Sequence, residues 1–289
     1  MKTIQHKAKK SLGQNFLKSV PALHAIVNAG EIKDTDTILE IGPGKGALTE
    51  KLLEVAGTVI AIEKDRDLLE FLQTKFSKKI TEGKFILING DVLEVEDSIV
   101  KNLGRSDGDG QRKSLAKDFR VFENAILHGG YKIIANIPYN ITGAILKKFL
   151  TAENQPERMV LMVQNEVAKR IVARDGSESI LSISVKAYGN PKIIMKVPAR
   201  YFSPAPKVDS AIIAITEINR NNFKNKNLEE KFWELVKTGF AHKRKILLSN
   251  LKELARQDLA SIFVNLKIPE KARAENLKPV DWLEIAKKL

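Results

Sequence analysis

Short apolar runs alternating with helix-like segments over the first two thirds of the chain predict an α/β fold, a mainly parallel sheet with helices on both faces. Beyond about Ile215 the pattern changes to helices alone, which predicts a small all-helical C-terminal domain. The runs expected as strands are Thr37 to Ile41, Val59 to Glu63, Phe85 to Asn89, Lys132 to Asn136 and Met159 to Val163. In such sheets ligands sit at the carboxyl ends of the strands. Each end here carries a candidate residue: Gly42, Glu63, Asp91, Asn136, and Gln164 with Asn165.

The expected domains are residues 1–216, with an insertion at about 97–130, and residues 217–289. The insertion holds Gly104, the run Asp107-Gly108-Asp109-Gly110 and a candidate helix from Ser114 to Leu127, a composition typical of surface loops. The polar stretch from Asn219 to Asn227 reads as a linker. Asn227 with Glu230 suggests the next helix start, and Asp281 with Glu284 a cap for the last helix, stapled by Val280 and Ile285.

Composition narrows the chemistry. At 289 residues, 43% of them hydrophobic, the chain can fill a full α/β core and a smaller second one. Met1 to Lys10 is polar and basic, and no stretch approaches the roughly 18 apolar residues of a membrane span, so a cytoplasmic protein is expected. Without cysteine there is no disulfide, thiolate nucleophile or Cys-ligated zinc. The four histidines, His6, His24, His128 and His242, lack metal-ligand spacing. The formal charge of +13 points to a polyanionic partner, because Lys and Arg neutralise phosphates and release counterions.

Ile38 to Leu52 reads as a strand, a loop Gly42-Pro43-Gly44-Lys45-Gly46 and an amphipathic helix. Glycines there allow a tight turn and close approach of a ligand to the helix start. Gly42, Gly44 and Ala47, with Glu63 about 20 residues on, fit a dinucleotide fingerprint, so the loop alone does not separate nicotinamide from S-adenosyl-L-methionine. Glu40 gives the form E-x-G-x-G-x-G, Glu63 can accept from both hydroxyls of a ribose, and Asp91 can accept from an adenine amine. Together they favour the methyl donor. Taken one at a time, each acid has a less favoured alternative as a helix cap or a solvated loop residue.

Asn136-Ile137-Pro138-Tyr139 follows the fourth run. It offers an amide, turn carbonyls and an aromatic ring at a strand tip, the groups needed to grip a flat base bearing an exocyclic amine. A nicotinamide-dependent reductase would have no use for it.

Leu-Gly-Gln-Asn-Phe-Leu (Leu12 to Leu17), the glycine loop, this tetrad and Phe-Ser-Pro-Ala-Pro-Lys-Val-Asp-Ser-Ala-Ile (Phe202 to Ile212) together resemble the ribosomal RNA adenine dimethyltransferase family, in the family's order and over nearly the whole chain. The resemblance is to its bacterial small-subunit branch, which dimethylates two adjacent adenosines in the 3′-terminal hairpin loop of 16S rRNA during ribosome biogenesis. It implies a Rossmann-like methyltransferase with a mainly parallel seven-stranded sheet, using S-adenosyl-L-methionine and no metal. Asn15, Leu17, Gly42, Glu63, Asp91 and Asn136 are then expected at the donor, with Gln14 and Phe16 supporting them. Asn136, Pro138, Tyr139 and Phe202 are expected at the target base, the two rings clamping it; the alternative for Phe202 is a core side chain.

Phosphate contacts are expected from Lys7, Lys9 and Lys10, and in the second domain from His242, Lys243, Arg244, Lys245, Lys252 and Arg256. The implied partner is small-subunit rRNA within a pre-30S particle, met by a monomer with no membrane. A large-subunit methylase of the macrolide-resistance type and an inactive RNA-binding relative are the competing readings. The insertion is longer than the family usually shows, which bears on the placement of Asp91.

Overall fold

The computed structural model describes residues 8–94, 130–242, 244–252, 254 and 259–289. The insertion at 97–130, including the candidate helix from Ser114, lies outside these apart from Gly130, as do Lys7, Lys243 and Arg256. Contacts divide the chain into two compact units, residues 1–165 with 192–216, and residues 166–191 with 217–289.

The first unit is built on strands. β1 (Phe16–Leu17) is a short piece of the N-terminal arm, followed by β2 (Thr37–Ile41), β3 (Thr58–Glu63), β4 (Phe85–Asn89), β5 (Tyr131–Asn136) and β6 (Arg158–Gln164). β7 (Asn190–Val197), β8 (Phe202–Ser203) and β9 (Ser210–Thr216) complete the set. Seven of them form one sheet in the order β4-β3-β2-β5-β6-β9-β7. β2 is parallel to β3 and β5, β4 to β3, and β6 to β5, while β9 runs antiparallel to β6. This is the mainly parallel seven-stranded sheet expected of the fold.

The five expected runs are all strands because they are nearly continuous Ile, Leu, Val and Ala, buried on both faces as a covered parallel sheet requires. β7 behaves differently. At the sheet edge, its residues alternate between exposed and half-buried up to Val197, so it carries no such run.

Three helices follow the first strands' rhythm: α1 (Val20–Ala29), α2 (Ala47–Val55) and α3 (Arg66–Lys75). The Ser19 hydroxyl accepts from the Ala22 N–H to start α1, and the Asp65 carboxylate accepts from the Asp67 N–H to start α3. Their apolar faces join Leu17, Ile38, Val59 and Phe202 in a common core. At the start of β5, Lys132 is buried and donates to the Asp36 carboxylate (2.6 Å) and the Glu31 carbonyl (2.7 Å), so its charge is paired inside.

The second unit is helical. Its helix Lys226–Gly239 is capped two residues before the expected Asn227: Asn225 has the extended backbone of a cap, and its side chain accepts from the Leu228 N–H at 2.9 Å. The last helix, Pro279–Lys288, is capped at Lys278, so Asp281 is not the cap; its carboxylate reaches back to the Lys278 N–H (2.8 Å) from the third position. The expected staple does not form, since Val280 is 58% exposed while Ile285 is buried. Phe240 stacks on Trp282 (5.8 Å between centroids), and Tyr188 accepts from the Trp233 indole N–H at 2.9 Å and donates to Glu229.

Gly239 leaves no room for a side chain, because a β-carbon there would stand 2.3 Å from Cη2 of Trp282. Gly239→Ala is expected to destabilise the helical unit by about 1–3 kcal/mol, the cost of overpacking a filled core. Urea unfolding followed by tryptophan fluorescence reads this directly; an unchanged midpoint would show that Trp282 yields at no cost.

Candidate active site

Parallel register brings the carboxyl ends of β2, β3, β4 and β5 to one edge of the sheet. Ile41 pairs with Ile62, Glu63 with Asn89, and Asn136 with Met162. The residues there, with arm residues 11–18, line a cavity of about 510 Å³, within the roughly 300–1,000 Å³ usual for small-molecule sites. Asn15, Leu17, Gly42, Glu63, Asp91, Asn136, Pro138 and Tyr139 all line it, as do Gln14 and Phe16.

The glycine loop turns from β2 into α2 through positive φ at Gly42 (66°), Gly44 (60°) and Gly46 (73°). Gly44 also has a neighbour that excludes a side chain, since its β-carbon would meet the Phe16 ring at 3.0 Å. The Gly44 N–H donates to Glu63 Oε2 (3.1 Å) and the Asp65 N–H to Glu63 Oε1 (2.8 Å), so both oxygens expected to receive a ribose already hold a backbone donor. Each retains a second lone pair for a further bond. Burial pushes the Glu63 carboxyl above its ordinary pKa, against the pull of these N–H groups.

Glu40 is deeper still, at 1% exposure, and burial pushes its carboxyl up to about 8. Among the described residues its Oε2 has no hydrogen-bond partner. An orphaned carboxyl oxygen beside a glycine loop and a cavity of this size suits a ligand with donors of its own, as S-adenosyl-L-methionine has. Asp91 differs because it is more open. Burial raises its pKa, but Lys64 (2.8 Å) and the Leu93 N–H (2.9 Å) outweigh that and hold it below the usual carboxylate value.

The arm lies across the cavity and is fastened at several points. Lys9 pairs with Asp65 (2.6 Å) and Asp67 (2.7 Å), and the Gln14 amide donates to Asp65 (2.8 Å). Lys9, expected at RNA phosphates, has its ammonium paired here with two carboxylates of its own chain. Phe16 sits on Gly44 with the Lys45 ammonium 5.0 Å from its ring. The arm also reaches the tetrad, since the Asn136 amide donates to the Asn15 carbonyl at 3.1 Å.

Within the tetrad, the Pro138 carbonyl accepts from the Ile141 N–H (3.3 Å), and the half-buried Tyr139 shares a 2.6 Å hydroxyl contact with buried Ser210. Phe202 is placed elsewhere than expected. It is 3% exposed in the core, on β8 where it pairs with Leu17 of β1, and it does not line the cavity. As the structure stands its ring is a core side chain, in one cluster with Leu17, Leu23, Ile26 and Ile212. In the second unit Arg244 and Lys245 are exposed, as are His242 and Lys252. Among the described residues no acidic or histidine cluster could hold a metal, and no helix is long and apolar enough to cross a membrane.

Sequence reasoning missed Asp65, Lys64 and Ser210. Asp65 carried one readable signal, an acid opening a helical pattern at Arg66, but its hold on the arm comes from residues more than 50 positions away. Ser210 lies within the Phe202 to Ile212 motif, but its bond to Tyr139 spans 71 positions and had no local signal.

The buried Glu40 makes stability depend on pH. Its folded pKa lies above the ordinary carboxyl value, so the stability from that difference is fully present below about 4.5 and lost as pH rises through about 8. Between pH 6 and pH 9 the wild-type chain should therefore lose more stability in urea unfolding than Glu40→Gln; equal losses would contradict a proton held on Glu40.

A model of the family described as "Ribosomal RNA adenine dimethylase" matches residues 5–289. The Ribosomal RNA small subunit methyltransferase A of Dehalococcoides mccartyi (strain CBDB1) is 39% identical over 282 residues, 96% of this chain and 87% of that protein. The protein of the same name from Fusobacterium nucleatum is 36% identical over 98% of both chains. Among solved structures, a dimethyladenosine transferase from Plasmodium falciparum is similar with a TM-score of 0.71 at 25% identity, covering 93% of this chain and 95% of that one. The 23S rRNA methyltransferase ErmE shares the fold, with a TM-score of 0.69 at 24% identity over 95% and 99% of the two chains. Matched from end to end at this identity, with the cavity at the strand ends that such a transferase needs, the chain belongs to the ribosomal RNA adenine dimethylase family.

Proposed function

We propose that the protein uses S-adenosyl-L-methionine to dimethylate N6 of two adjacent adenosines in the 3′-terminal hairpin of small-subunit rRNA. The observation that carries this reading is the state of Asn136. The donor end of its amide is engaged by the Asn15 carbonyl, which turns the acceptor end to the task a target amine requires. Relatives named as small-subunit methyltransferases support the choice of rRNA.

Asn15, Leu17, Gly42, Glu63 and Asp91 would hold the donor, Glu63 at the ribose and Asp91 at the adenine amine. When bound, the donor supplies an electrophilic methyl group on a sulfonium. The amine it meets is a poor nucleophile, because its lone pair is delocalised into the ring. The Asn136 side-chain oxygen and the Ile137 carbonyl accept its two hydrogens and hold the nitrogen in a more tetrahedral form; the Pro138 carbonyl is less suited, being already used by Ile141. A carbon–nitrogen bond forms as the carbon–sulfur bond breaks, and the nitrogen's proton leaves to water. No carboxylate need act as a base, so the acceleration comes from placement and fixed dipoles.

The base must leave its stack to reach the cavity, and Tyr139 offers the platform for it. Phe202 covers the other face only if its ring leaves the core as RNA binds. Lys243, Arg244 and Lys245 would meet phosphates in the second unit. The substrate is proposed to be a pre-30S particle, met by a monomer in the cytoplasm.

Incubated with tritiated donor and small-subunit particles from a strain lacking the modification, the wild-type chain should yield labelled dimethyladenosine. Label in large-subunit RNA alone would select the resistance-type activity. Asn136→Ala should lower turnover about a hundredfold or more, the scale for losing one preorganised polar contact. Tyr139→Ala should lower turnover more than donor affinity. Normal turnover in the Asn136 variant would remove that residue from the mechanism.

A further inference from the structure

The Phe202 to Ile212 motif bears on the site through a residue at its far end. Ser210 opens β9, is wholly buried, and its hydroxyl meets the Tyr139 hydroxyl at 2.6 Å across 71 positions of sequence. The bond rests on a rigid base. Ser210 pairs with Gln164 in the antiparallel β6–β9 ladder, and the Asp209 carbonyl accepts from the Asn165 N–H at 2.9 Å. The Asp209 carboxylate accepts from the Ala199 N–H (3.0 Å) and pairs with Lys196 (2.8 Å). At the other side of the ring, the Tyr139 carbonyl accepts from the Thr142 hydroxyl at 3.0 Å.

A ring that only offered a flat surface could be phenylalanine. Here the residue is fastened at its backbone and at its hydroxyl, to an element that packs no atom into the cavity itself. Such double attachment limits how the ring can tilt, and reaction rates depend steeply on the placement of the reacting atoms.

We propose that Ser210 is a positioning residue for methyl transfer: its hydrogen bond to Tyr139 fixes the ring on which the target adenine stacks, and so sets where N6 stands against Asn136. This rests on the assignment of Tyr139 as stacking platform. Because Ser210 does not line the donor cavity, its effect is separable from donor binding. The two hydroxyls act as one unit, so removing either removes the same restraint.

The test compares wild type, Ser210→Ala, Tyr139→Phe, the double variant and Ser210→Thr, with turnover and KM measured on unmodified small-subunit particles and donor affinity by calorimetry. Each single variant should lower kcat about fivefold, the scale of one net hydrogen bond, with donor affinity unchanged. The double variant should fall no further than the worse single, and Ser210→Thr, which keeps the hydroxyl, should recover most of the rate. A double variant losing the product of the single losses would overturn the inference. So would a Ser210→Ala chain with wild-type kcat, or one whose rate falls only as its donor affinity falls. Should Ser210→Ala fail to fold, Tyr139→Phe probes the same bond from its other end, and an unchanged kcat there is equally contrary. A wild-type chain that transfers no methyl to any rRNA would overturn the dimethylase reading, and this inference with it.

Discussion

The common ending of four parallel strands is the constraint on which the site depends. Gly42, Glu63, Asp91 and Asn136 are scattered over 95 positions, yet they meet because β2, β3, β4 and β5 stop along one edge. The register that achieves this is held by burial. Each strand is apolar on both faces, and a slip of one residue would turn Glu63 to the other face of the sheet while exchanging the side chains packed on every neighbouring helix. The site residues therefore inherit their positions from the core.

On that edge the groups differ mainly in how much water they have lost. Glu40 and Glu63 are buried and hold their protons more tightly than ordinary carboxyls, whereas Asp91, beside Lys64, stays ionised to lower pH. The arm adds a second wall to this gradient. Its attachments to Asp65, Gly44 and Asn136 join the proposed ribose end of the cavity to the proposed base end, so whatever lifts the arm alters both. Because Phe202 is buried in the core, a clamp of two rings requires its ring to leave that position.

How far the sequence could be read follows from the range of the interactions. The five inner strands were legible because continuous apolar runs are a local signal, and the tetrad and glycine loop because their chemistry lies within a few consecutive residues. β7 was less visible, since an edge strand alternates and so resembles many polar segments. The helix starts near Asn225 and Lys278 were shifted by two or three residues, because neighbouring polar residues compete for one cap and only the backbone conformation decides between them. Lys9 with Asp65, and Tyr139 with Ser210, are partnerships across 56 and 71 positions that no spacing rule reports.

Donor and base are proposed to share the cavity at this strand edge, divided between Glu63 and Asp91 on one side and Asn136 and Tyr139 on the other. A crystal structure of the chain with S-adenosylhomocysteine tests this most directly. The ribose hydroxyls should lie at Glu63, the adenine amine at Asp91 and the sulfur facing Asn136. Density for the ligand elsewhere, or in this cavity with the sulfur turned away from Asn136, would contradict it.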